Sequence, residues 1–280
     1  MPRDVPMPQA SWRASLALGF ERRDARTILA SRRHDGPLVV QKTLHPEGDL
    51  CCHGIVVHPP GGIAGGDALE IDIRAAAASH ALLTTPGAAK WYRSGGPWAT
   101  QSVRIDVEAN AVVEWLPQET IVFDGALARL SFAANLASGA RLVAWDIACL
   151  GRTGSGERFA RGRVRLDVRV TRDGRPIWIE RGDLEPGSAA LESPVGLGGR
   201  SVFGTLAVAG CDIDDSMLAA CREQAPASGE GAVTRMPHIL LARYRGDDSE
   251  HARRYFTDLW RVLRPVAAGR AAVEPRIWRT

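Results

Sequence analysis

The 280-residue sequence predicts a mostly β fold, with many short strands in a sandwich-like or solenoid-like arrangement and about two helices in the C-terminal third. Three observations lead to this prediction. Strand-like alternation of apolar and polar residues recurs along the chain, turn signals separate the alternating runs, and helical periodicity appears only late. No linker and no fixed-period repeat divides the chain, so residues 1–280 are predicted to form a single domain.

The strand predictions depend on runs in which every second side chain is apolar. Apolar and charged side chains alternate over residues 69–74, 103–108 and 163–170. In a strand, this alternation places one set of side chains in a core and the other in solvent. Turn-forming residues separate such runs, at Asn110, Asp124-Gly125, Ser138-Gly139, Asp173-Gly174 and Gly198-Gly199.

A short helix is predicted in the C-terminal third. Asp214 and Asp215 supply capping side chains for a helix that continues through Gln224, and Pro226 then stops it. The residues that follow, 225–232, are small or glycine and are predicted to form an exposed loop.

A second, longer helix is predicted to begin around Asp247-Asp248-Ser249 and to end at Arg264, before Pro265. Its apolar residues follow the 3.6-residue period of an amphipathic helix, and they are Ala252, Phe256, Leu259, Trp260 and Leu263. One face of this helix is therefore expected to be buried.

Charge and composition exclude several classes of protein. The net charge of +3 is too small to indicate nucleic-acid binding, and no apolar run is long enough to cross a membrane. The N-terminus has no pattern of a signal peptide. Five cysteines, an odd number without a CxxC pair, favour a reducing, cytoplasmic location.

The sequence HPPGGIAGGD, residues 58–67, has four glycines and two prolines in ten positions and ends on an aspartate. Gly61 and Gly66 have the spacing of phosphate-loop glycines, but Asp67 stands where that motif has lysine and Ala68 where it has a hydroxyl. A strand pattern follows instead of a helix, so nucleotide binding is not expected. Two roles stay open for Asp67: capping backbone amides within a glycine turn, or serving as a functional carboxylate.

Metal-ligand residue types occur just before this loop. Cys51, Cys52, His53 and His58 carry sulfur and imidazole groups, which suit Zn, Ni or Cu(I). Neighbours in a strand point to opposite faces, so Cys52 and His53 share a metal only if the strand bends. They are candidates for a weak or transient site.

Two acidic residues interrupt apolar runs: Asp146 in LVAWDIACL and Glu180 in PIWIERGD. A buried carboxylate needs a partner, because burial of an unpaired charge is unfavourable. Each either pairs with an arginine or, together with Asp67, lines a polar channel for a cation.

Other patterns are less informative. The arginine stripe at Arg161, Arg163, Arg165 and Arg169 is either a solvated strand face or a docking surface for an acidic partner. No nucleophile elbow is present, because Gly154-Ser155-Gly156 lacks the required spacing, and a hydrolase with an unrecognised site stays an open alternative.

Several stretches together resemble the urease accessory protein UreD family, whose members are called UreH in some bacteria. HPPGGIAGGD is followed by LLTTPGAAKWYRS, VEWLPQETIVFDGALAR, RLVAWDIACLGR, LWRVLRP and PRIW, in the order typical of that family. The resemblance runs from GPLVVQKTLHPEG to the last residues.

The resemblance implies a non-enzymatic role in urease maturation. Members of the family act as a scaffold or chaperone that joins UreF, and through UreF the GTPase UreG, on apo-urease. The complex delivers Ni²⁺ to the urease active site in a GTP-dependent process, and an internal polar tunnel is the implied route. No tightly bound cofactor is implied, only transient Ni²⁺. The alternative is a passive interaction scaffold with no metal contact.

The resemblance also implies roles for particular residues. Asp67 matches the aspartate that closes the GGD motif, Asp146 the acidic position of the AWD segment, and Glu180 the glutamate of the VER segment. These three carboxylates are implied to lie along the nickel route, where weak oxygen ligands suit conduction. Cys52 and His53 match a Cys-His pair of some members, and Lys90, Tyr92 and Arg93 match a motif to which no role is assigned.

Overall fold

The fold is mostly β, as predicted. The structure, a computed structural model, describes residues 11–279. In chain order its strands are β1 (Arg13–Arg23), β2 (Arg26–Asp35), β3 (Val39–Val40), β4 (Cys52–Val57), β5 (Ala68–Ala75), β6 (His80–Thr84), β7 (Ala89–Trp91), β8 (Ala99–Val107), β9 (Val112–Trp115), β10 (Thr120–Val122), β11 (Leu127–Leu136), β12 (Arg141–Leu150), β13 (Arg163–Arg172), β14 (Arg175–Leu184), β15 (Val202–Ala209), β16 (Glu230–Met236) and β17 (Ile239–Gly246).

Helices are few. They are α1 (Ala189–Glu192), α2 (Asp215–Glu223) and α3 (Ser249–Ala268), with 3-10 turns at Thr153–Ser155 and Arg276–Arg279. The short α1 has no counterpart among the sequence predictions. No helix within residues 11–279 is both long and apolar enough to cross a membrane.

The centre of the molecule is a β-solenoid of four coils. Strands β4, β6, β9 and β12 stack in parallel in one sheet, while β5, β8, β11 and β13 stack in parallel in the other. The coils begin at residues 52, 80, 112 and 141, a structural period of roughly thirty residues. Their lengths differ, which explains why the sequence shows no fixed-period repeat.

Antiparallel strands extend both sheets. At the last coil β13 forms a hairpin with β14, and β12 continues through β15 and β17 to the edge strand β16. At the first coil β1 adds to β5 in parallel, and β2 forms the outer edge.

Two hydrophobic cores result. The inner core lies between the sheets and takes the alternate apolar residues of the predicted strands, among them Leu69, Ile71, Ile73, Val103 and Ile105. The outer core lies on the opposite face of the ten-stranded sheet, beneath α2 and α3. Phe256, Trp260 and Leu263 of α3 are fully buried there, as the helical period predicted.

The helix boundaries agree with the sequence at their starts. The Asp214 carboxylate accepts a hydrogen bond from the Met217 amide and caps α2. The Asp248 carboxylate caps α3 in the same way, at the predicted position.

The predicted end of α3 at Arg264 is wrong. The helix passes through Pro265 and ends at Ala268, where Gly269 adopts a left-handed conformation and its amide bonds to the Pro265 carbonyl. Proline removes one helical hydrogen bond, but the burial of Ala267 holds the last turn in place.

The predicted loop 225–232 is also partly wrong. It is mostly exposed as expected, yet Glu230 already begins the edge strand β16. That strand pairs with β17 alone and buries only Val233, so its sequence has little strand character.

Candidate functional site

A cavity of about 400 Å³ lies between the two sheets. Every coil contributes to its wall: Val56 and Ile71 from the first, Gln101 from the second, Trp115 from the third and Ala144 from the fourth. The cavity continues to the antiparallel strands β14 and β15 beyond the last coil. Because it follows the solenoid axis, we call it the central cavity.

Asp146 lines the central cavity from β12. Residues of even number in this strand face inward, as Leu142 and Ala144 of the inner core show. The remaining exposed surface of Asp146 opens into the cavity, and enclosure by protein raises the pKa of this carboxyl. The hydroxyl of Thr120 donates a hydrogen bond to it at 3.4 Å.

Asp146 has no counter-charge. Among residues 11–279, no arginine, lysine or histidine comes within ion-pair distance of its carboxylate. The alternative of a salt bridge to an arginine, open from the sequence, is therefore wrong for this residue. An enclosed carboxyl without a cationic partner is stable either in its protonated form or with a bound cation.

Glu180 lines the same cavity from β14, and it does have a partner. Arg243 of β17 donates hydrogen bonds to both oxygens of the Glu180 carboxylate, one of them at 2.7 Å. Burial acts to raise the pKa of Glu180, but the hydrogen bonds and charge of Arg243 outweigh it and lower the pKa. The salt-bridge alternative is confirmed here.

A row of three side chains crosses the ten-stranded sheet. Asp146 pairs with Thr205 across β12 and β15, and Thr205 pairs with Arg243 across β15 and β17. Directly opposed residues project from the same face of a sheet. The row therefore places Asp146, a hydroxyl and a guanidinium side by side on the inner face, opposite Glu180.

The glycine-rich loop is organised around Asp67. One carboxylate oxygen accepts the amide of Trp12 and the other accepts the amide of Ala64, each at 2.8 Å. Gly61 and Gly66 have positive φ angles of 72° and 95°, as the predicted glycine turn requires. The amide-capping alternative for Asp67 is confirmed.

Asp67 does not line the central cavity, so the structure brings together only two of the three predicted carboxylates, Asp146 and Glu180. His58, at the start of the same loop, does line the cavity, and burial lowers its pKa. A nickel contact by Asp67 stays a prediction that depends on the family resemblance alone.

The segment from Lys90 to Arg93 follows strand alternation. Trp91 is buried in the inner core, whereas Lys90 is exposed at the cavity rim. The Tyr92 ring packs edge-on against Phe123 and lies over Gly62, where a β-carbon would stand 2.0 Å from it. The aromatic part of this motif therefore fixes the glycine-rich loop.

Cys52 and His53 point to opposite sides of β4, as strand geometry predicted. Cys52 is buried in the inner core, and His53 faces the outer side, where its Nε2 lies 2.6 Å from Glu47. The two residues do not converge on one metal in this arrangement, and their role as weak metal candidates stays a prediction.

A buried polar network lies under α3 that the sequence did not reveal. The Arg264 guanidinium is fully buried and donates to Glu47 and Glu114, while His80 lies 2.7 Å from Glu114 and Trp260 donates to it at 2.7 Å. The Arg264–Glu114 bond connects residues 150 positions apart. The only sequence signal was Glu114, a charge within VVEWL.

This network has donor types for a metal but is already satisfied. Glu47, Cys51 and His53 form one group, and Cys51, His80 and Glu114 another, with donor atoms within 4.8 Å. All four carboxylate oxygens accept hydrogen bonds. Burial raises the pKa of the Cys51 thiol, and an un-ionised thiol is a poor ligand. Arg264 supplies the positive charge, so the network is structural.

The arginine stripe forms local ion pairs. Arg163 and Arg165 both contact Asp183, and Arg161 contacts Asp124. Arg163 and Arg165 lie on β13 of the seven-stranded sheet, which fits the solvated-face alternative, whereas Arg161 precedes the strand and pairs with Asp124 in a loop.

The fold and site define a β-solenoid protein with an internal, carboxylate-bearing cavity. The family model for the UreD urease accessory protein matches residues 13–279. The chain belongs to the UreD family of urease accessory proteins.

Relatives share the full length of the chain. The urease accessory protein UreD of Azoarcus sp. (strain BH72) is 55% identical over 99% of this chain and 98% of its own length. That of Dechloromonas aromatica (strain RCB) is 51% identical over 100% and 99%. That of Nitrosococcus oceani is 46% identical over 100% and 94%.

Proposed function

We propose that this protein delivers Ni²⁺ to apo-urease and that the ion passes through the central cavity. Asp146 and Glu180 serve as successive oxygen ligands along the route. Carboxylate and hydroxyl oxygens bind Ni²⁺ weakly, so an ion held at one position remains free to move to the next. No resident cofactor is required.

One observation carries this proposal: the enclosed Asp146 carboxyl has no counter-charge. Asp67, Glu47 and Glu114 all use their oxygens in the fold, bonding to amides, histidines or Arg264. Asp146 accepts from the Thr120 hydroxyl and a backbone amide, both uncharged groups. A divalent cation would supply the missing charge and would displace the proton that burial favours.

The proposed role is that of a cytoplasmic scaffold and chaperone, not of an enzyme. It joins UreF, and through UreF the GTPase UreG, on apo-urease. GTP hydrolysis belongs to UreG, consistent with the failure of the phosphate-loop match at Asp67 and Ala68.

Co-expression with the urease operon tests the nickel route. Asp146→Asn and Glu180→Gln should lower urease activity and bound nickel while leaving pull-down of UreF and apo-urease intact. Asp72→Asn, on the exposed face of β5 beside Arg104, is the matched control and should activate fully. Full activation by both cavity variants would refute the route.

A passive scaffold without metal contact is the second candidate. Equilibrium dialysis of the purified chain against Ni²⁺ separates the two. The nickel route predicts that Asp146→Asn binds less Ni²⁺ than wild type and Asp72→Asn. Equal binding by all three, with intact assembly, would favour the passive scaffold.

The exposed face of α3 is the proposed contact for UreF. Arg254 and Arg261 project from it with 60% and 51% of their side chains exposed. Deletion of the helix would uncover the outer core, so surface substitutions are the better test. Arg254→Glu with Arg261→Glu should abolish pull-down of UreF, and Arg74→Glu, on the opposite sheet, should not.

A further inference from the structure

Arg243 and Glu180 connect the two sheets at one end of the central cavity. Glu180 belongs to β14 of the seven-stranded sheet and Arg243 to β17 of the ten-stranded sheet. Their side chains are 44% (Arg243) and 31% (Glu180) exposed, whereas the inner-core residues nearby are buried. The pair therefore stands between the cavity and the solvent, beyond the last coil.

We propose that this pair is a charge gate. Arg243 occupies the position that a cation would take at Glu180, and a divalent cation passes this end of the cavity only after the guanidinium has moved away. The inference rests on the proposed function, because it takes the cavity as the nickel route and identifies what closes one end.

Arg243 engages both carboxylate oxygens of Glu180. Nη1 of Arg243 lies 2.7 Å from Oε1 of Glu180, Nη2 bonds to Oε2, and Nη1 also lies 3.1 Å from the Thr205 hydroxyl. Two of the oxygen-bearing groups at this end of the cavity are thus occupied by one guanidinium. A metal ion at the same carboxylate would meet a like charge at close range, which is unfavourable in a partly enclosed site.

The pair is also easy to open. An ion pair with this exposure is weak, because water solvates both partners when they separate. Arginine has a long, flexible side chain, and the exposed fraction of Arg243 gives it solvent to move into. Arg264, in contrast, is fully buried and bonded to two glutamates, so it is held in place whereas Arg243 is free to move.

Removing the positive charge should open the gate. With the purified full-length chain and Ni²⁺ alone, stopped-flow uptake should be roughly two- to fivefold faster in Arg243→Gln than in wild type, the range expected for losing a half-exposed ion pair. Arg181→Gln is the control, since Arg181 is one residue from Glu180 but faces outward and pairs with Asp167. It should match wild type.

Other variants separate the possible failures. Arg243→Lys keeps the charge but binds one oxygen, so an intermediate rate is expected, and this variant replaces the glutamine one if the latter does not fold. The gate would be overturned if Arg243→Gln, or Arg243→Lys in its place, took up Ni²⁺ at the same rate as Arg181→Gln. If Glu180→Gln binds less Ni²⁺ in that case, the nickel route itself still stands. Unchanged binding in both Asp146→Asn and Glu180→Gln would instead overturn the proposed function.

Discussion

The guanidinium of Arg264, in the last long helix, donates hydrogen bonds to both oxygens of Glu114, at the centre of the ten-stranded sheet. The bond joins α3 to the solenoid at a point where neither partner touches solvent. Glu47, from the loop before β4, completes the pairing at 2.6 Å.

Replacing Arg264 should destabilise the protein strongly. Arg264→Met leaves two buried carboxylates without their cation, and the free energy of unfolding should fall by about 3–5 kcal/mol. Urea denaturation measures it. Arg254→Met, in an exposed pair on the same helix, is the control and should change little. A small loss in Arg264→Met would show that the network is dispensable.

Acid should weaken the same network. Burial alone would raise the pKa of Glu47 and Glu114. Hydrogen bonds and favourable charge interactions with Arg264 and the neighbouring histidines outweigh burial and lower both pKa values from 4.5 to about 2. Groups with a depressed pKa stabilise the fold above the unfolded value, so stability should be lost as the pH falls from about 4.5 towards 2. Glu47→Gln removes one such group and should show a shallower decline than wild type. Parallel curves of stability against pH for the wild type and Glu47→Gln would show that Glu47 does not contribute to the acid sensitivity.

Asp67→Ala should lower stability whether or not nickel is present. The variant leaves the amides of Trp12 and Ala64 without an acceptor, at a cost of about 1–3 kcal/mol each where water does not replace it. Thermal unfolding of the metal-free chain measures the effect, with Asp72→Ala as the exposed control. An unchanged melting temperature would contradict a stabilising role of Asp67 in the loop.

Gly62→Ala should strain the loop through Tyr92. The added methyl group would overlap the Tyr92 ring, and relieving this overlap should cost about 1–3 kcal/mol. In a double-mutant cycle, the cost should shrink in a Tyr92→Ala background. Gly95→Ala, which meets open space, serves as control. Additive losses would mean that the ring is not the obstacle.

Nickel binding should weaken as the pH falls through a range above the ordinary aspartate value of 3.8. Burial raises the pKa of Asp146, so protons compete with Ni²⁺ at a higher pH than at an exposed carboxyl. Dialysis at stepwise lower pH measures this. Asp146→Asn should lose this part of the pH dependence. An identical pH profile in the wild type and in Asp146→Asn would mean that another group causes it.

Local patterns were sufficient for much of the fold. The alternation over 69–74 and 163–170 gave the strands, and Asp214 and Asp248 gave the helix starts, because these signals depend on neighbours in the sequence. The closure of four coils depends on pairing between distant strands, which alternation does not encode. The predicted end of α3 before Pro265 was wrong for the same reason: the burial of Ala267 depends on tertiary packing and outweighs the local effect of the proline.

The candidate site was predicted less completely. Asp146 and Glu180 were noticeable as charges within apolar runs, and both face the cavity. Asp67 looked equivalent, and only the three-dimensional loop shows its oxygens in use. Arg243 gave no signal, because an arginine between apolar residues of a strand is ordinary until its partner on the other sheet is known.

The stacked coils also set a scale of length. Neighbouring strands lie about 4.8 Å apart, so the three steps between the first and fourth coils span roughly 15 Å along the axis. Any ion that travels between the His58 end and the Glu180 end covers at least this distance inside one chain. A protein of this design with one more coil would have the two ends of its cavity about 5 Å farther apart, so the number of coils determines the distance between groups bound at the two ends.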